Sequence, residues 1–183
     1  MPPHITYYVA CSADGYIADA DGGIGWLDNF QGAGEDYGYK EFFDSMDGLV
    51  MGRKTYEQIR GFGSWPYGEK PCWVFSRQEI EVGENIIAVD TIDSLLHAKQ
   101  CEEGSVERLW LVGGGALAGW FASQNLINRC MIFVMPCLLG NGIPLFGAEG
   151  VQTSGGPAML QLDQSVRYTN GVVQLDYRFP HSG

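Results

Sequence analysis

Basic residues are scarce in this chain. Only 11 Lys and Arg stand against 22 Asp and Glu, giving a net charge of −11. No basic run exists, so the electrostatic footprint of a nucleic-acid binder is missing and no nucleic-acid partner is expected. No apolar run approaches the roughly 20 residues of a membrane-spanning helix, so no membrane partner is expected either. The three histidines, His4, His97 and His181, are scattered, and the five cysteines (Cys11, Cys72, Cys101, Cys130, Cys137) form no C-x-x-C pair. Neither set has metal-ligand spacing, so no metal site is expected. The cysteines lie mostly in apolar, strand-like runs and read as free thiols rather than a disulfide framework. No signal-like segment precedes the first strand, which makes the cytoplasm the expected compartment. A hydrophobic content of 45% over 183 residues suits a single domain, 1–183, with a substantial core.

What the chain has in abundance is glycine, 26 residues of it. Three fall together in Leu109-Trp-Leu-Val-Gly-Gly-Gly-Ala-Leu-Ala-Gly-Trp-Phe121. Leu109 to Val112 is too short an apolar run for a helix and reads as a buried strand. Beyond Ala116 the period changes, and Leu117, Trp120 and Phe121 fall on one helical face. The stretch is therefore strand, glycine turn, helix. Such a turn aims free N–H groups and the positive end of the helix dipole at one spot, which suits a phosphate or pyrophosphate. The alternative is a tight turn with no ligand. Gly113, Gly115 and Ala118 also fit the dinucleotide pattern G-x-G-x-x-G/A, but the turn comes late and the next strand lacks the acidic residue that holds a ribose.

A second glycine turn ends the buried strand Gly48 to Gly52 and enters Gly52-Arg-Lys-Thr-Tyr-Glu57, a short helix to about Arg60. A helix start prefers acidic residues in its first turn, so Arg53 and Lys54 there cost stability unless an anion is bound. A third buried strand, Pro71 to Arg77, ends in Ser76-Arg77. Three of the 11 basic residues thus stand at the carboxyl ends of strands, where open α/β sheets bind ligands.

Elsewhere the patterns are simpler. Ile5 to Cys11 is β-branched and aromatic with few polar residues, as a central strand would be. Asp14-Gly15 is a turn signal. Asp19 to Gly34 is a long Gly/Asp-rich loop carrying Ile24, Trp26, Leu27 and Phe30, and reads as a functional loop closing over something. Tyr37 to Met46 is a helix with Tyr39, Phe42, Phe43 and Met46 as its stripe; Glu35 and Asp36 at its start serve as caps or as site carboxylates. Glu84 to Val89 is a weaker strand, Thr91 to Gln100 a helix, Arg129 to Met135 a strand, and Pro136 to Phe146 an apolar loop. Met159 to Thr169 and Val172 to Phe179 alternate as strands about Asn170-Gly171, a hairpin signal. The expected class is α/β, with a mostly parallel central sheet closed by a C-terminal antiparallel hairpin.

Five stretches carry a family resemblance: Ser12-Ala-Asp-Gly-Tyr-Ile-Ala18, Val50-Met-Gly-Arg-Lys-Thr-Tyr-Glu57, Val74-Phe-Ser-Arg77, Leu111-Val-Gly-Gly-Gly-Ala-Leu117 and Leu138-Leu-Gly-Asn-Gly-Ile-Pro-Leu-Phe146. In this order they resemble the three-layer dihydrofolate-reductase-like fold, in the branch of the riboflavin-biosynthesis deaminase–reductase C-terminal (reductase) domain. The resemblance implies an NADPH-dependent oxidoreductase and a homodimer. By similarity, Gly52, Arg53, Lys54 and Thr55 cradle the pyrophosphate; Arg53, Ser76 and Arg77 hold the 2′-phosphate. Gly113, Gly114, Gly115 and Ala116 lie along the pyrophosphate and ribose, with a cis peptide implied between Gly113 and Gly114. Ala10, Ile17 and the loop to Trp26 surround the nicotinamide. Asp36, or Glu35, supplies the carboxylate of the reaction, and Asp14 and Trp26 fall on the substrate side. The family's default reaction is reduction of 5-amino-6-(5-phosphoribosylamino)uracil. The chain departs from that pattern: Tyr39-Lys-Glu-Phe-Phe-Asp-Ser-Met46 has one lysine where riboflavin reductases carry histidine and arginine, and the deaminase half is absent. Two alternatives remain: a dihydrofolate reductase, for which Asp36 speaks, and an NADPH-binding module without turnover.

Overall fold

The computed structural model describes residues 2–30, 34, 36–100, 106–152 and 156–180. Its frame is an eight-stranded sheet. The strands are β1 (His4–Ser12), β3 (Gly48–Gly52), β4 (Cys72–Phe75), β5 (Ile86–Val89), β6 (Arg108–Gly113), β7 (Ile127–Met135), β9 (Gln161–Arg167) and β10 (Val173–Arg178), in the order β5-β4-β3-β6-β1-β7-β10-β9. The first six of that order run parallel; β10 pairs antiparallel with both β7 and β9. Two short strands, β2 (Tyr16–Ala18) and β8 (Ile143–Pro144), form a separate antiparallel pair. β8 lies within the segment expected to be only a loop.

The alternation of side chains along each strand builds two cores. Ile5, Tyr7, Val9 and Cys11 of β1 join Leu109 and Leu111 of β6 on one face. That face is covered by α3 (Ile92–Gln100) through Leu95 and by α4 (Gly115–Ser123) through Ala118 and Phe121. Leu49, Met51, Val74 and Trp110 point the other way. They meet Phe42 of α1 (Tyr39–Ser45) and Tyr56 of α2 (Arg53–Gly61). The result is the three-layer dihydrofolate-reductase-like α/β architecture, with β1 central as its composition implies.

Most departures from expectation sit at element ends. The helix expected from Tyr37 begins at Tyr39, because Tyr37 (φ 54°) and Gly38 (φ 73°) are both left-handed and cannot continue a right-handed helix. The strand expected over 71–77 is shorter, and Ser76 turns back on Gln78 instead. The strand expected over 159–169 is Gln161–Arg167, a mostly exposed sheet edge. Within the loop 19–34 lies a 3₁₀ turn, Gly25–Phe30. Cys11, Cys72 and Cys130 are buried thiols and Cys137 is half-buried, all unpaired; Cys101 and Glu35 lie outside the described residues. Among the described residues no helix is long and apolar enough to cross a membrane.

Candidate active site

The carboxyl ends of β1, β3 and β6 set the site. Both helices that leave this edge start on glycine. Gly52 caps α2 and Gly114 caps α4, and neither has a side-chain hydrogen bond closing its first turn. The two caps are adjacent: a Cβ added at Gly52 would lie 4.0 Å from the Gly114 amide nitrogen. Two uncapped helix N-termini, each with its partial positive charge, therefore converge on one place. The Gly113–Gly114 peptide is cis, as the resemblance implies. A Cβ on Gly114 would approach the Thr55 hydroxyl to 3.3 Å, so the turn and the first turn of α2 sit close enough that only glycine leaves the gap open.

Beside this corner lies a cavity of about 320 Å³. Ala10, Ile17, Thr55, Gly113 and Gly114, all read from the sequence as site residues, line it. So do Ile24 and Leu27 of the 19–34 loop, while Trp26 and Phe30 of the same loop pack against the second core cluster. Gln58 ties that loop down, its side-chain amide donating to the Gly22 carbonyl at 2.6 Å. A second cavity, about 360 Å³, lies at the far end of the sheet around Pro3, Ile92, Leu95 and Leu126. It touches neither glycine turn, so the smaller cavity is the candidate site.

The basic residues flank the corner rather than the cavity. Gly52 pairs with Phe75 across β3 and β4, so Arg53 and Ser76 follow at the same edge. Arg53 is held by Glu57, its Nη1 donating to Oε1 at 2.7 Å and Oε2 at 3.0 Å. Lys54 and Arg77 are exposed. The Ser76 hydroxyl bonds Gln78, accepting from its N–H at 3.1 Å and donating to its carbonyl at 2.7 Å.

Other expected residues have different neighbours. Gly115 and Ala116 pack against the 144–147 segment; a Cβ on Gly115 would stand 2.2 Å from the Pro144 carbonyl oxygen. Asp14 does not line the cavity. Its carboxylate accepts from the N–H groups of Leu139 and Gly140 at 3.1 and 2.7 Å. Asp36 is exposed and caps α1, accepting from the N–H groups of Gly38 at 2.9 Å and Lys40 at 3.4 Å. Trp26 packs into the second core cluster, with its indole N–H buried and unpartnered among the described residues.

The cavity also gathers residues that the sequence reading passed over: Tyr8, Gln58, Phe62, Tyr67 and Val112. Tyr8 was reachable, since a period of two sets it on the face of Ala10. Gln58 and Phe62 follow Thr55 by three and seven, which is the same helical face. Nothing local marks Tyr67. Burial drives the Tyr8 and Tyr67 hydroxyl pKa values well above the ordinary tyrosine range, with smaller like-charge contributions from Tyr168 and Asp36 at Tyr8 and from Tyr39 at Tyr67.

Residues 57–174 match the RibD C-terminal domain. The chain belongs to that family. Among relatives, the uncharacterized protein YwjB of Bacillus subtilis is 34% identical over 140 residues, 76% of this chain and 80% of that protein. Dihydrofolate reductase HdrB of Haloferax volcanii is 30% identical over 120 residues, 63% of this chain and 58% of that protein. A solved structure from Shewanella sp. PV-4, named for riboflavin biosynthesis, superposes with a TM-score of 0.82 at 26% identity, covering 97% of this chain and 99% of that one. Family membership supports a reductase of the riboflavin-biosynthesis type.

Proposed function

We propose that this protein is an NADPH-dependent reductase acting on a small heterocyclic or carbonyl compound, with the aminouracil ribosyl phosphate of riboflavin synthesis as the family's default substrate. The observation that carries it is the corner where α2 and α4 begin: two uncapped helix N-termini, one at Gly52 and one at Gly114, side by side with Arg53, Lys54 and Arg77 at the rim. This donor set fits a pyrophosphate with an additional phosphate. The open space at Gly113, and the absence of a side chain on Gly114 beside Thr55, fit a group that must approach the backbone closely. Gly52, Thr55, Gly113 and Gly114 would hold the pyrophosphate and ribose, Arg53, Ser76 and Arg77 the 2′-phosphate, and Ala10 and Ile17 the nicotinamide. When bound, the cofactor supplies a hydride to the compound in the cavity. The chain's own part is to fix that compound, exclude water with Ile24 and Leu27, and offer hydroxyl donors to the group being reduced.

Tryptophan quenching on titration with NADPH and NADH tests this. The wild type binds NADPH more tightly, and R53E and R77E weaken NADPH by tenfold or more while moving NADH little. Equal loss for both cofactors would remove the 2′-phosphate assignment, and no binding of either would remove the reductase reading. NADPH binding without turnover across a broad substrate panel would leave a binding module, and tight methotrexate binding would turn the reading to folate. The same reading has two copies pairing in the cytoplasm. Gel filtration with light scattering gives twice the chain mass; a monomer at micromolar concentration would sink that part.

A further inference from the structure

Away from the glycine turn, the cavity wall is ring and aliphatic surface. Tyr8, Phe62, Tyr67 and Trp110 line it with Ile24 and Ile59. Trp110 joins the rings, meeting Tyr8 edge-on at 6.1 Å and Tyr67 at 5.4 Å between centroids. Among the described residues, no Lys, Arg, His, Asp or Glu lines this space. Much of the wall's donor capacity is already engaged. The Trp110 indole N–H donates to the Tyr8 carbonyl at 3.2 Å, and the Tyr8 hydroxyl to the Tyr37 carbonyl at 3.4 Å. Gln58 gives its amide to Gly22. Tyr67 differs. It is 8% exposed, and its hydroxyl makes no hydrogen bond to any described residue. That hydroxyl belongs to a cavity-lining residue and is not committed to any described acceptor, so an acceptor entering the cavity can take its hydrogen bond in place of water.

We propose that this cavity takes an uncharged, planar ring compound bearing a carbonyl or imine acceptor, held among Tyr8, Phe62 and Trp110 with the Tyr67 hydroxyl donating to that acceptor, in place of a phosphorylated sugar derivative. The assignment rests on the reductase reading and names its substrate class. Flat rings gain edge and face contacts with such walls. A phosphate entering them would shed its water with no described cation in the wall to replace it. Burial keeps Tyr67 protonated well above neutral pH, so it acts as a donor rather than a base. Asp36 accepts from the Gly38 and Lys40 N–H groups and does not line the cavity, and the other hydroxyl without a described partner in the wall, that of Thr55, stands at the glycine corner assigned to the cofactor.

The test uses the full chain saturated with NADP⁺, which carries no hydride to transfer, and calorimetric titration with two matched probes: coumarin, a neutral planar bicyclic carbonyl compound, and coumarin-3-carboxylate. The wild type binds coumarin at least tenfold more tightly than the carboxylate. Tyr67→Phe weakens coumarin about fivefold, the worth of one hydrogen bond, and leaves NADP⁺ affinity unchanged. Phe62 is 65% exposed, so Phe62→Ala spares the core and also weakens coumarin several-fold. Equal or tighter binding of the carboxylate, no binding of coumarin, or unchanged coumarin affinity in both variants would overturn the proposal while the reductase reading stands. Failure of the wild type to bind NADP⁺ in the first titration would remove the reductase reading, and this assignment with it.

Discussion

The Asp14 carboxylate accepts from backbone N–H groups of Leu139 and Gly140, 125 and 126 residues further along the chain. It therefore fastens the β1–β2 turn to the segment that ends in β8. The Ser12 hydroxyl, then the Gly140 and Leu139 N–H groups, hold its carboxyl below the ordinary carboxylate range despite some desolvation. A lowered folded-state pKa means the charged form favours folding. That contribution is complete above the unfolded value, about 4, and is lost as pH falls through the folded one. Asp14→Asn cannot titrate. Urea midpoints measured between pH 7 and pH 2 should fall more steeply below pH 4 for the wild type than for D14N, the two curves converging in acid. Parallel curves would mean that Asp14 does not couple these segments. Asp36, too, accepts from backbone N–H groups. Its sequence position allowed either a helix cap or a site carboxylate, and its oxygens are on the Gly38 and Lys40 N–H groups. A carboxylate's residue type and place in the chain left both uses open; only the direction of its oxygens separates them.

At the scale of elements, the glycines explain what was legible. Strand, turn and helix around Gly113 could be read because the hydrophobic period changes from two to 3.6 across it. What could not be read is why the glycines continue into α4. A Cβ on Gly115 would stand 2.2 Å from the Pro144 carbonyl oxygen, and one on Gly119 would stand 2.1 Å from that of Phe146. These two serve the packing of the 143–147 segment on α4, while Gly113 and Gly114 border the cavity. One run of glycines thus does two jobs, and spacing alone does not divide them. Leu145 and Phe146 of the same segment are partly buried against the first core cluster, and the Tyr7 hydroxyl donates to the Leu145 carbonyl at 2.9 Å. Periodicity also anticipated the strands near the middle of the sheet, which are buried on both faces. It overran at β9 and α1. There the limits are set by an exposed edge and by left-handed backbone at Tyr37, neither of which leaves a hydrophobic signature. Tyr67 escaped for a related reason: it reaches the cavity from an irregular stretch before β4, and its ring contacts with Phe43, Trp65 and Trp110 reveal where it goes.

The whole molecule is assembled around the site in a way that ties binding to stability. The cavity's walls come from β1, the 17–27 segment, α2, Tyr67, β6 and Ile143. Those pieces are joined mostly across the sheet and across the two cores, not along the chain. A ligand seated against Gly52, Thr55, Gly113 and Ala10 therefore contacts elements that come apart together on unfolding, and it has no such surface in the unfolded chain. Mass action then fixes the effect. NADPH at a hundred times its dissociation constant should add about 2.7 kcal/mol. At roughly 2–4 °C per kcal/mol for a chain of this size, that is a rise in Tm of about 5–11 °C by calorimetry. NADH at the same concentration should give a smaller rise, because it lacks the 2′-phosphate that Arg53 and Arg77 are proposed to hold. Arg53 first has to leave Glu57, an exposed i,i+4 pair worth only about 0.3–0.5 kcal/mol, so the pair does not cancel the preference. Equal shifts for the two cofactors would mean that the basic rim contributes nothing, and no shift for either would mean that the convergence of α2 and α4 serves packing alone.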